Sequence, residues 1–212
     1  MKIGIFSDVH ADYGSLYLAL RLFQDHDVES MICAGDIVEK GLEDDKVVAT
    51  FRSRQIPCVQ GNHDENAVHH HRLSQTNELP DEVPLKPDTI EYLDQLPTTF
   101  ERTYGGVRIL VAHAIPSHNA GRVFHDDGPS RLAKRFKKDL ARAHCDLLVV
   151  GHTHRPFDIR YRAQRIINPG STCSIKSRDS HTAGILDLES ESFEVYHLDT
   201  GDKHDVWQAD VA

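Results

Sequence analysis

The stretch VVGHTHRPF at residues 149–157 sets two imidazoles one residue apart, directly after an apolar run. Gly151 precedes them and Pro156 follows, so DLLVV at 146–150 reads as a buried strand that stops at Gly151. A buried histidine pair is costly to desolvate unless something binds it. Outward from this stretch the same pattern recurs. KIGIF (2–6) ends in Ser7-Asp8, SMICA (30–34) in Gly35-Asp36, and IPCVQ (56–60) in Gly61-Asn62-His63-Asp64. TTFERTY and VRILVAHA flank Gly105-Gly106 as a hairpin whose second arm ends at His113.

Helical spacing fills the gaps. Ser15 is placed to cap a helix carrying Leu16, Ala19, Leu20 and Phe23, and Val47, Val48 and Phe51 mark a second helix over 43–54. Strand, helix, strand, helix, strand predicts a parallel sheet with right-handed crossovers, whose ligands sit beyond the carboxyl ends of the strands. The polar, proline-bearing stretch 65–97 predicts a helix near 65–73 and another from Pro87 to Leu96; it reads either as a surface insertion or as a wall or lid over the site. Ser130 opens an expected helix over 130–143, whose basic residues lie on a solvated face. FDIRY, RIIN, TAGILDL and SFEVYHL read as short antiparallel strands.

Composition narrows the function classes. The 212 residues suit one domain, and 39% hydrophobic with 27% charged is a globular balance. A net charge of −9 gives no broad attraction for nucleic acid or anionic lipid. No apolar run approaches a membrane span, and Cys33, Cys58, Cys145 and Cys173 are too scattered for a CxxC site; they read as reduced core residues of a cytoplasmic chain. Of the 15 histidines, the run His69-His70-His71 reads as a solvated helix face.

The strand ends together offer Asp8, His10, Asp36, Asn62, His113, His152 and His154. If the chain stays extended there, residues i and i+2 point the same way, so Asp8 with His10, and His152 with His154, reach one locus. Seven nitrogen and oxygen donors exceed one tetrahedral zinc and suit two divalent cations sharing a carboxylate. A donor set without thiolate favours Mn, Fe, Zn, Co or Ni over Mg or Ca, with Mn the assay metal of choice.

In this order the motifs D-x-H, G-D, G-N-H-D, H and G-H-x-H resemble those of the calcineurin-like metallophosphoesterases, in particular the small bacterial and archaeal phosphodiesterases. Asn168-Pro169-Gly170-Ser171 is similar to the NPGS that follows the last motif in that family. The resemblance implies an α/β fold of four layers, αββα: a β-sandwich flanked by helices, with metals at the strand ends. It implies one metal on Asp8, His10, Asp36 and His154, and another on Asp36, Asn62, His113 and His152, with Asp36 bridging. His63 resembles the family's catalytic histidine, which assists the leaving group without binding metal. Two departures stand out. Glu39 and Lys40 occupy positions where the phosphoprotein-phosphatase branch has Asp and Arg, and lysine lacks arginine's bidentate fork; His113-Ala114 stands where His-Gly is common. Glu39, Lys40 and Asp64 are therefore candidates to support the site or touch substrate.

The expected activity is hydrolysis of a phosphodiester or small phosphomonoester by a hydroxide shared between the metals. The alternatives are a catalytically silent protein-binding scaffold and a nuclease. A small phosphorylated substrate is the expected partner, with contacts sought in 65–97 and in 117–129, where His118, Asn119, Arg122 and His125 lie.

Overall fold

A computed structural model describes residues 1–76, 85–125, 131–175 and 179–211. In chain order the elements are β1 (Lys2–Phe6), α1 (Tyr13–Asp25), β2 (Ser30–Cys33), α2 (Asp44–Arg54), α3 (Asn62–Gln75), α4 (Pro87–Gln95), β3 (Thr99–Tyr104) and β4 (Val107–Ala112). There follow α5 (Lys134–Leu140), β5 (Leu147–Val149), β6 (Phe157–Tyr161), β7 (Gln164–Asn168), β8 (Thr182–Asp187), β9 (Ser192–His197), β10 (Lys203–His204) and β11 (Trp207–Asp210).

Two mixed sheets result, ordered β10-β9-β8-β1-β2 and β11-β6-β7-β5-β4-β3. Within them β1–β2 and β4–β5–β7 run parallel, as crossovers demand, while β8–β9 and β6–β7 are antiparallel neighbours. The inner faces meet: Ile3, Ile5 and Ile32 from one sheet pack with Ile109, Val111, Val149 and Ile167 from the other. Alternate residues face outward. Phe6 meets Leu16, Phe23, Phe51 and Leu93 under the helices, and Leu110 and Leu148 meet Phe136 and Leu140 of α5. Strands buried on both faces explain the unbroken apolar runs, and each fully buried Leu, Ile or Phe contributes about 1.5–3 kcal/mol. The layers are helices, sheet, sheet, helix, as the motif resemblance implied.

Several expected elements differ. IPCVQ is no strand: Pro57 has no N–H to donate, and the segment keeps one bridge, Cys33 with Cys58. The cap of α1 is Asp12, which accepts the Ser15 N–H at 3.0 Å, so Ser15 lies inside the helix. α3 starts at Asn62 rather than 65, because the Asp64 carboxylate takes the Gly61 N–H at 2.8 Å and closes the helix start. α5 is shorter than 130–143: Ala133 N–H bonds the Val123 carbonyl at 2.9 Å, which pairs 131–133 with a loop; Ser130 lies outside the described residues. β10 and β11 were not anticipated. Where described, the 65–97 stretch forms α3 and α4, and Ala67, Val68 and Leu93 join the core that holds α2; residues 77–84 lie outside the described residues. All four cysteines are free and buried. Among the described residues, no helix is long and apolar enough to cross a membrane.

Candidate metal centre

The segment after β1 runs beside the segment after β2. Asp8 N–H bonds Gly35 O at 2.9 Å and His10 N–H bonds Asp36 O at 3.0 Å. These bonds do not continue the strands. Asp8 (φ 55°), His10 (φ 50°), Asp36 (φ 56°), His152 (φ 64°) and His154 (φ 56°) all sit in the left-handed region. The extended alternation expected for the two pairs is therefore wrong: a coiled backbone aims them. Each such residue costs about 1–3 kcal/mol and persists only where its surroundings fix it. The donors also come from both sheets, not from one sheet edge: β1 and β2 lie in one, β4 and β5 in the other.

The loops touch closely. A Cβ on Gly61 would stand 2.1 Å from Asp36 Oδ1, and one on Gly151 would stand 1.9 Å from Ser7 Oγ and 2.8 Å from Asp8 Oδ2. No other residue fits at either position. Asp64 binds the loops together. Its fully buried carboxylate accepts N–H bonds from Asp36 (2.9 Å), Ile37 (2.8 Å), Val38 (3.3 Å) and Gly61 (2.8 Å). The NPGS segment joins the other side. Asn168 Nδ2 donates to Gly151 O at 2.6 Å, and Ser171 Oγ to Asp8 O at 3.1 Å.

Around this frame the side chains converge. His154 Nε2 lies 3.0 Å from Asp8 Oδ1 and 3.3 Å from His10 Nε2, and His10 Nε2 lies 3.8 Å from both Asp8 Oδ1 and Asp36 Oδ2. His113 Nε2 lies 3.2 Å from Asp36 Oδ2. His152 donates its backbone N–H to Asp8 Oδ2 at 3.0 Å, and its ring centroid is 5.1 Å from that of His113. Asn62 opens α3 next to Gly61. The remaining ring nitrogens are held from behind: His113 Nδ1 by Ala34 O (2.7 Å), His10 Nδ1 by Val38 O (3.4 Å) and His154 Nδ1 by Asp179 (2.5 Å). That arrangement turns Nε2 of each of these three rings toward the shared locus.

Among the described residues, three buried side-chain atoms make no hydrogen bond: Asp8 Oδ1, Asn62 Oδ1 and His113 Nε2. Asp8 Oδ1 is close to His154 but off the line of a hydrogen bond. An unsatisfied buried group costs about 1–3 kcal/mol. All three belong to the expected donor set, and three triads — Asp8/His10/His154, His10/Asp36/His63 and Asp8/Asp36/His113 — hold donor atoms within 4.8 Å of one another. The residues fit divalent cations.

Electrostatics agree. Burial alone would raise Asp8 and Asp36, yet the surrounding imidazoles hold both below the usual carboxylate range. Burial pushes His10 and His152 down to about 4, leaving neutral rings with lone pairs. His113 goes the other way: burial lowers it, but Asp36 and Asp8 outweigh burial and bring it up to about 10. Burial and the Asp36 charge push Asp64 up to about 7, against its four N–H donors. A cation on Asp36 would offset that repulsion and favour the ionised Asp64.

The other candidates fall into place unequally. Glu39 Oε2 holds His63 Nδ1 at 2.5 Å, and the His63 ring stands edge-on to His10 with centroids 4.8 Å apart. Lys40 Nζ reaches His10 Nε2 at 2.5 Å. Asn119 Nδ2 bonds Glu65 (2.9 Å) and Gly61 O (3.4 Å), at the foot of the site, whereas His118, Arg122 and His125 are exposed. Residues 126–129 lie outside the described residues, and His69 and His70 are exposed on α3. Sequence reasoning missed Asp179, whose side chain is fully buried against His154. It sits in a polar stretch without periodicity, so no local pattern marks it.

Asp179→Asn should therefore weaken binding of Mn²⁺ about 10–100-fold with the circular dichroism spectrum unchanged; unchanged affinity in a chelator competition would contradict its role. The proton on His113 yields a second prediction. Its folded value of about 10 exceeds the unfolded 6.5, so its stabilisation of the metal-free fold is complete below about pH 6.5 and lost as pH rises through 10. A cation must displace that proton, so Mn²⁺ affinity rises with pH between 7 and 9, approaching about tenfold per unit for each proton displaced. A flat profile would contradict the assignment.

Comparison with known proteins agrees with the geometry. The model of the calcineurin-like phosphoesterase superfamily domain matches residues 1–191. A phosphodiesterase of Methanocaldococcus jannaschii, MJ0936, is 25% identical over 199 residues, 91% of this chain and 96% of its own. An uncharacterized protein of the same organism, MJ0912, is 27% identical over 161 residues, 73% of this chain; the match spans 63% of that relative's length. The crystal structure of a metallophosphoesterase from Sphaerobacter thermophilus superposes with a TM-score of 0.69 at 21% identity, covering 97% of this chain and 89% of that one. The chain belongs to the calcineurin-like phosphoesterase superfamily.

Proposed function

We propose that this protein is a divalent-metal-dependent hydrolase of a phosphodiester or small phosphomonoester. The observation that carries the reading is the convergence of Asp8 Oδ1, Asn62 Oδ1 and His113 Nε2, buried and without a hydrogen bond, beside a histidine, His63, that is held by Glu39. Asp8, His10, Asp36 and His154 would hold one cation, and Asp36, Asn62, His113 and His152 the second. Asp36 suits the shared position, because its Oδ2 lies between His113 and His10 while its Oδ1 accepts the His63 N–H at 2.8 Å. Bound there, the ions supply Lewis acidity toward phosphoryl oxygens and lower the pKa of a water.

His63 contributes the proton. With Nδ1 fixed by Glu39, the mobile proton belongs on Nε2. The water, having given up a proton to solvent, forms the new P–O bond, the ester P–O bond breaks, and the departing oxygen takes the proton from His63 Nε2, which solvent then restores. His63 is about a quarter exposed, so it can meet a substrate that never enters the buried part of the site. The phosphodiesterase MJ0936 supports the diester as substrate class. A net charge of −9 argues against a long nucleic acid.

Hydrolysis of a chromogenic diester with Mn²⁺ tests the proposal. His63→Ala should keep its metal and lose about 10²–10⁴ in kcat, least with leaving groups of low pKa. Asp36→Asn should lose metal and activity together. A wild-type protein that binds Mn²⁺ and hydrolyses none of the diesters and monoesters tried would favour the scaffold.

A further inference from the structure

The Lys40 ammonium is placed against the candidate donors themselves. Nζ lies 2.5 Å from His10 Nε2, the atom that is itself 3.3 Å from His154 Nε2 and 3.8 Å from Asp8 Oδ1 and Asp36 Oδ2. The backbone keeps it there. Glu39 (φ 64°) and Lys40 (φ 71°) are both left-handed, and the loop is fastened on either side, by Glu39 N–H on Asp44 Oδ1 (2.8 Å) and Gly41 N–H on His10 O (2.8 Å). Two left-handed non-glycine residues in succession are strained, and strain of this kind is retained where it positions a functional group.

Resting on the metal-centre reading above, we propose that Lys40 is a tethered cation: in the metal-free protein its ammonium stands in for the ion expected on Asp8, His10, Asp36 and His154, and it must leave when that ion binds. Two carboxylates with at most 1% of their surface exposed favour a further counter-charge beside the imidazoles that already offset them. A compact ammonium on a flexible four-carbon stem supplies one and can withdraw, which a planar guanidinium held by a two-pronged bond does less readily. Two cations cannot share the locus, so every divalent ion that enters does so against Lys40. The lysine thereby sets a threshold of metal concentration for loading.

The test reads metal binding, not turnover. Metal-free wild type and Lys40→Met are titrated with Mn²⁺ against a fluorescent chelator, with Lys46→Met as a surface control. Removing the competing charge should tighten Mn²⁺ binding at least about tenfold and lower the melting temperature of the metal-free form, with Lys46→Met matching wild type in both. Equal or weaker binding in Lys40→Met overturns the inference alone; absence of Mn²⁺ binding in both proteins overturns the metal-centre reading and the inference with it. A measurement on wild type covers the case of a variant that does not fold. In the NMR spectrum, the contact between the Lys40 ε-protons and the His10 ring should be present without metal and vanish on titration with diamagnetic Zn²⁺. Persistence of that contact in the loaded protein overturns the inference.

Discussion

Asp8, Asp36 and Asp64 place three buried carboxyl groups where three loops meet, and like charges in a medium of low dielectric repel strongly. Everything near them answers that constraint. Asp64 is saturated by backbone N–H groups from the Asp36 loop and Gly61. Asp36 accepts the N–H of His63 at the start of α3, where the helix dipole favours negative charge. Asp8 accepts the His152 N–H. Asp8 Oδ1, Asn62 Oδ1 and His113 Nε2 are left without a hydrogen bond, and that is what makes the site fit a cation.

The sandwich exists to make that concentration of charge possible. Two sheets packed face to face bring Asp8, Asp36, His113 and His152 together, because the ends of β1, β2, β4 and β5 meet at the same edge of the sandwich. The strained left-handed residues cluster in the loops at that edge, and hydrogen bonds from the NPGS segment hold those loops in turn. Stability stored in the apolar layers is spent on backbone geometry where function needs it.

Much of this was visible in the residue order. Apolar runs ending in Asp8, Asp36, His113 and His152 gave away strands buried on both faces, and the Gly105-Gly106 turn gave away the β3–β4 hairpin. Other features leave no local trace. The two-sheet origin of the donors depends on pairing across long sequence separations, such as β1 with β8. Left-handed φ at Asp8 or His152 is a tertiary outcome that no propensity announces, and extended geometry does not describe it. Asp179 acts across 25 residues through its contact to His154. Pro57, by contrast, was a readable warning that IPCVQ would not enter a ladder.

The central claim is that positive charge from outside the polypeptide completes this set of donors. Crystals soaked in Mn²⁺ and measured at the manganese absorption edge test it most directly. The account predicts two anomalous peaks, one among Asp8, His10, Asp36 and His154 and the other among Asp36, Asn62, His113 and His152. An empty centre, or manganese only on the exposed histidines of α3, would contradict it.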